Sequence, residues 1–227
     1  MISNSKRMRW RKLNTVLNQL KKIRKTIRKS LLNIKDVTVI SNNCWGGFFY
    51  QYFGLQYRSP TVGLYFPPKD YNRFVQRFEY YIDQPLTELK IEDAKNKQLF
   101  EYTEKVNSRR VVLGKIDDVE CCLLHYHSFE EAREKWERRR KRISRTIVFK
   151  NNDNNGFDIN CLYDWNTAVK NRKSIFITSK REYADRCTSN IVLYLNTKLK
   201  NQDAVDDTSD FDKKFKPYQI INTLVRK

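Results

Sequence analysis

Three short polar stretches hold the side chains best suited to chemistry, and each follows a run of apolar residues. Ser41-Asn42-Asn43-Cys44 puts a hydroxyl and a thiol, two potential nucleophiles, beside two amides. His125-Tyr126-His127-Ser128 ends the apolar run "VECCLL", and Asn151-Asn152-Asp153-Asn154 ends "TIVF". An apolar run that turns polar marks a strand handing over to a loop or helix. In an open parallel sheet, ligands collect at the carboxyl ends of the strands.

Ser41 or Cys44 is a candidate nucleophile, because a helix N-terminus lowers a thiol pKa and its N–H groups hold an oxyanion or phosphate. Asn42 and Asn43 are candidate donors to an oxyanion or substrate. The structural alternative is that an Asn caps the following helix, with Ser41 and Cys44 as small packing residues. Gly46-Gly47 lets a ligand approach the backbone, but the G-x-G-x-x-G spacing of dinucleotide binding is absent. His125 is a candidate general base near neutral pH, or else a core histidine bonded to backbone. Tyr126 and Ser128 complete that strand end as substrate contacts. Ser128 also heads a capping box with Glu131.

Basic residues crowd 138–145. Arg139 and Arg142 share a helical face and suit bidentate binding of a diphosphate, the alternative being a solvated surface. No metal site is expected. The five cysteines lack a Cys-x-x-Cys spacing, and the two histidines, His125 and His127, are not i, i+4 on a helix. Asp117-Asp118 and Asp153 are weak candidates for a cation with a nucleotide sugar, since no Asp-x-Asp occurs.

These stretches need elements to place them. Hydrophobic periodicity predicts strands at 37–40, 61–66, 111–113, 119–125, 146–149, 174–178 and 191–195. It predicts helices after Asn43 and over 71–82, 129–143, 157–169, 180–186 and 217–224, with a loop carrying short strands at 84–108 and a polar loop at 200–213. Alternating strands and helices imply an α/β fold, a largely parallel sheet with helices on both faces in three layers. One α/β domain is expected over 36–227. Residues 1–35 form a separate basic amphipathic helix, in which Trp10, Leu13, Leu17, Leu20, Ile27 and Leu31 recur at steps of three or four.

Charge narrows the partners. The 227 residues carry a formal net charge of +19, and twelve Lys or Arg with no acid lie within residues 1–35. Such an excess calls for an anionic partner. An amphipathic helix over 6–32 suits an anionic membrane surface better than nucleic acid, the structural alternative being a basic helix that packs on its own domain or on a partner. The odd cysteine count argues against a disulfide framework. No apolar run reaches the length of a spanning helix, and no apolar core follows the basic N-terminus. The chain is expected in the cytoplasm, or peripheral on the inner face of the membrane.

"VISNNCWGGFFYQYFGLQYRSPTVGLYF", "DYNRF" and "LLHYHSFEEAREKWERRRKRI", in that order, resemble the bacterial exopolysaccharide-biosynthesis family filed as domain of unknown function 1919. The likeness covers most of 35–224 and leaves out the basic arm. The turn 151–156 is less acidic than the family's pattern. The resemblance implies an α/β fold and a place in capsule and envelope-glycan production. Three functions are then expected. An acyltransferase acting on a glycan would use Ser41 as nucleophile, Asn42 and Asn43 as donors, His125 as base and acyl-CoA as donor substrate. It would share a strand-1 serine with SGNH-type enzymes but lacks their C-terminal Asp-x-x-His. A glycosyltransferase would hold a nucleotide or lipid diphosphate sugar at Arg139 and Arg142. A non-catalytic module would bind a glycan or lipid-linked sugar at the membrane surface.

Overall fold

The computed structural model describes residues 4–199 and 204–226. A long helix, α1 (Asn4–Ser30), leads into β1 (Val37–Ser41), whose β-branched residues are all buried. Then come α2 (Trp45–Phe53), α3 (Pro68–Gln76) and α4 (Phe78–Asp83). A three-stranded insertion follows, made of β2 (Leu86–Glu88), α5 (Lys97–Asn107), β3 (Leu113–Ile116) and β4 (Val119–Cys122). The chain returns through α6 (Phe129–Arg140) to β5 (Thr146–Asn152), α7 (Ile159–Ala168), β6 (Ser174–Thr178), α8 (Arg181–Arg186) and β7 (Ile191–Tyr194). It closes with α9 (Phe211–Lys214) and α10 (Pro217–Arg226).

The main sheet is parallel, in the order β1-β5-β6-β7. Alternate residues feed two cores. Ile40, Phe149 and Phe176 face a layer containing Tyr71, Phe74 and Trp165 of α3 and α7. Val37, Val39, Val148, Ile175 and Ile177 face Trp45, Phe49, Phe211, Phe215 and Leu224 of α2, α9 and α10. Burial on both faces explains why these strands read as nearly continuous apolar runs. The three-layer α/β expectation holds.

Four local expectations change. Residues 61–66 form no strand. Ser59 Oγ accepts from the Thr61 N–H, Gly63 sits at φ +90°, and Tyr65 alone bridges to Cys122. The predicted strands at 111–113 and 119–125 do not join the parallel sheet; β3 and β4 form a hairpin that pairs with β2 in a second, antiparallel sheet. The Asp117-Asp118 link between them, with Asp117 at φ +54°, is far too short for a parallel crossover, which needs about a dozen residues. The helix expected over 71–82 breaks at Arg77, whose φ −115° and ψ 40° interrupt it. The segment expected as loop with short strands at 84–108 supplies the short strand β2 but also contains α5, which buries only Phe100, so little apolar period marks that helix in the sequence.

A charge lies where the two cores meet the carboxyl edge. Lys150, in β5, is completely buried, and its ammonium pairs with Asp207, itself 2% exposed. Asn42 Oδ1 (3.2 Å) and Asn43 Oδ1 (3.0 Å) accept its other protons. Removing one partner of such a pair strands a buried charge. In urea unfolding, Lys150→Met is expected to cost about 3–5 kcal/mol. The double variant Lys150→Met/Asp207→Asn should lose clearly less than Lys150→Met alone.

Candidate active site

β1 delivers its polar end residues into this buried network. Ser41 and Asn42 are buried, Asn43 and Cys44 half-buried. The Ser41 N–H donates to Thr61 Oγ1 (3.1 Å), and its hydroxyl donates to Asn43 Oδ1 (3.2 Å). The Asn42 amide donates to Asn152 Oδ1 (2.5 Å). Asn43 is the hub: its Nδ2 donates to Asp207 Oδ1 (2.9 Å), while its Oδ1 also accepts from the Trp45 N–H (3.1 Å) at the first turn of α2. The N-cap position falls on Cys44, which makes no side-chain cap, and not on the expected asparagine; the Asn43 amide instead braces the turn that carries Cys44.

Cys44 Sγ lies 2.9 Å from Nε2 of His125. The histidine comes from the antiparallel insertion, in the turn after β4, and crosses to the carboxyl edge of the parallel sheet. Its N–H donates to Gly63 O (3.3 Å). Gly63 is required there: a Cβ would sit 2.9 Å from Tyr126 Oη, in a backbone conformation that side chains rarely adopt. Tyr126 Oη donates to Val62 O, and Arg139 Nη1 donates to Val62 O (2.8 Å) and to Tyr126 Oη (2.7 Å). Arg139 also lies over the Tyr57 ring at 5.0 Å. This buried guanidinium clamps the 57–63 loop to the turn bearing His125.

The electrostatics set the resting proton. Burial, with Asp207 adding to it and Lys150 opposing it, pushes the Cys44 thiol up to about 11. Burial and then the Arg109 charge hold His125 below the usual imidazole value. Both shifts favour a neutral thiol beside a neutral imidazole at pH 7, not a preformed thiolate–imidazolium pair. For Nε2 to accept the thiol proton, Nδ1 must carry the ring hydrogen.

Two cavities meet at Cys44. One, of about 270 Å³, runs past Asn43, Asn152, Asn154, Tyr65 and Tyr102. The Asn154 Nδ2 donates to Phe66 O (3.3 Å), whereas its buried Oδ1 has no partner among the described residues. The other, of about 310 Å³, lies on the His125 side, between Tyr57, Tyr126, Lys135 and Arg139.

The structure thus brings together Cys44, His125, Tyr126 and Arg139, with Asn43 at the rim. It does not bring Ser41 to His125; the serine hydroxyl is turned into the amide network, and the thiol three residues on makes the contact. Ser128 caps α6, its Oγ accepting from the Glu131 N–H (3.2 Å), while the Glu131 carboxylate accepts from the His127 N–H (3.0 Å). Arg142 lies beyond the end of α6. It lines a separate depression with Arg58, Lys141 and Arg145, near Asp36 and Thr146 at the amino ends of β1 and β5, so Arg139 and Arg142 do not form one anion clamp. Asp153 holds the fold: its carboxylate accepts from Thr178 Oγ1 (2.7 Å), the Ser179 N–H (2.9 Å) and the Val205 N–H (2.9 Å). Reading the sequence placed Asn152 and Asn154 in a polar strand end without giving them a role, and missed Lys150, Tyr65, Tyr102 and Asp207. A lysine inside the run "TIVFKNN" was a usable signal; nothing marked Asp207 within an acidic loop.

A thiol titrating near 11 has a testable signature. The rate of Cys44 alkylation by iodoacetamide should keep rising with pH through 9, where an ordinary thiol levels off, because the thiolate fraction grows until about 11. His125→Ala should leave that profile nearly unchanged, since the resting pair is neutral.

The chain is 34% identical over 142 residues to an uncharacterized protein of Haemophilus influenzae, an alignment covering 62% of this chain and 61% of that relative's length. A family model described as "Domain of unknown function (DUF1919)" matches residues 15–225. The match begins inside the basic arm, so the arm is not wholly outside the family's span as the sequence likeness suggested. By that match over most of its length, the chain belongs to the DUF1919 family.

Proposed function

We propose that this protein is an acyltransferase of envelope-glycan assembly in which Cys44 carries the acyl group and His125 moves the proton. The observation behind this reading is the 2.9 Å contact between Cys44 Sγ and His125 Nε2 at the junction of two cavities. A nucleophile within hydrogen-bond reach of a base is the arrangement covalent catalysis requires. The junction allows a donor on one side and an acceptor on the other.

The chemistry runs in two halves. His125 Nε2 takes the thiol proton as Sγ attacks the carbonyl carbon of an acyl thioester such as acyl-CoA. An S–C bond forms, and the donor's thiolate leaves with the proton from His125. In the second half a hydroxyl of the acceptor gives its proton to His125 and attacks the Cys44 thioester. The ester forms, and Cys44 leaves as a thiol carrying that proton. The high thiol pKa fits concerted removal of the proton during attack. An oxyanion would draw on N–H groups of the first turn of α2 not already engaged as the Trp45 N–H is by Asn43.

The cavity on the Asn154 side suits a neutral sugar acceptor. Its amides offer both donors and acceptors, Tyr65 and Tyr102 offer ring faces, and its carboxylate, Asp207, is already neutralised by Lys150. A sugar hydroxyl donating to Asn154 Oδ1 would satisfy a buried atom that otherwise costs stability. The resemblance to an exopolysaccharide-biosynthesis family agrees with a glycan acceptor. An acyl-CoA donor agrees with a cytoplasmic site.

Intact-protein mass spectrometry after incubation with acetyl-, succinyl- and longer acyl-CoA tests this reading. The expected result is a single acyl adduct on Cys44, absent in Cys44→Ala and formed about 10²–10⁴-fold more slowly in His125→Ala. Absence of any Cys44 adduct from the folded protein with every donor would rule the reading out. Adducts obtained only with a nucleotide sugar would shift it to glycosyl transfer. Asn154→Leu should leave loading intact and raise the acceptor KM by about tenfold, the loss of one hydrogen bond to a buried amide.

A further inference from the structure

The exposed face of α1 is a large apolar surface left unused by the fold. Trp10, Leu13, Val16, Leu17, Leu20, Ile23, Ile27 and Leu31 are all exposed, Trp10 at 64% and Ile27 at 57%. At 100° per residue they fall within an arc of about 140°, a continuous stripe wide enough to seat a helix on an apolar medium. Most of the helix's bases, among them Arg11, Lys21, Lys22, Lys25 and Lys29, lie outside that arc.

The helix is held to the body near its C-terminal end. Arg28 donates to Asp212 Oδ2 (2.7 Å) and lies over the Tyr52 ring at 3.8 Å, and the Lys25 stem lies against Gly54. A second basic cluster, Lys141, Arg142, Arg145 and Arg58, lines a depression shared with Ile34 and Asp36, the residues that connect α1 to β1. Apolar stripe and cationic depression therefore meet where α1 joins the sheet.

We propose that α1 lies in the headgroup boundary of an anionic bilayer, its stripe sunk into the acyl region and its bases, with the Lys141–Arg145 cluster, on the lipid phosphates. Charge selects this occupant. A second copy of the helix would set eleven bases against eleven with no acid between them, and like charges across a helix pair repel. A nucleic acid would engage the bases through its phosphates and leave eight apolar side chains in water. Anionic lipid satisfies both halves of the helix, since apolar burial and phosphate attraction act in the same plane.

Flotation of the full chain with vesicles distinguishes these occupants at roughly 0.15 M salt. Vesicles of phosphatidylcholine containing about one third phosphatidylglycerol should carry the protein, and phosphatidylcholine alone should bind it at least about tenfold more weakly. The triple variant Leu13→Glu/Leu17→Glu/Leu20→Glu changes only exposed positions. It should keep the parent Tm and partition at least about tenfold less onto the anionic vesicles. Equal binding to both vesicle types, or a triple variant that binds as the parent does, would overturn the proposal. So would self-association of the full chain, by analytical ultracentrifugation, that disappears in the triple variant.

Discussion

The architecture of the carboxyl edge depends on a buried ammonium group. Lys150 has no access to water, and burial pulls its pKa down while Asp207 pulls it back up. A cation in that position is tolerable only if every proton finds an acceptor. Asp207, Asn42 and Asn43 supply them, and Asn152 donates to the same carboxylate (3.1 Å). The requirement ties the ends of β1 and β5 to a segment more than fifty residues further along the chain. Because Asn43 Oδ1 also accepts from the Trp45 N–H at the start of α2, satisfying Lys150 fixes that turn and hence the position of Cys44.

The second half of the site has a different origin. His125 belongs to an insertion between the first two strands of the parallel sheet, folded as its own antiparallel unit. A short hairpin link and a positive-φ glycine turn that unit back over the sheet edge. The buried Arg139 guanidinium then locks the turn through Tyr126 and Val62. The thiol and the imidazole thus come from two sheets that share one hydrophobic core, and the two cavities are the clefts left at their junction. The same burial that holds the sheets together raises the thiol pKa and lowers the imidazole pKa. The structural and chemical properties of the pair have one cause.

α1 stands apart from this logic. Among the described residues its apolar stripe stays open, and Asp212 pairs with Arg28 near its C-terminal end. Among the described residues no helix is long and apolar enough to cross a membrane.

The sequence by itself determined the α/β class, most strands and helices, the buried character of 119–122 and the amphipathic arm. All of these rest on local periodicity, capping residues and turn chemistry. It also singled out three polar strand ends, and residues of all three line the two cavities that meet at Cys44. Tertiary structure alone decided that Cys44, not Ser41, meets His125, because the direction of each side chain depends on the amide network around Lys150. It decided that β3 and β4 leave the parallel sheet, that Arg139 is a buried clamp while Arg142 lies at the opposite edge, and that Asp207 completes the site. Those outcomes depend on contacts between segments tens to more than a hundred residues apart, and local pattern carries no record of such pairings.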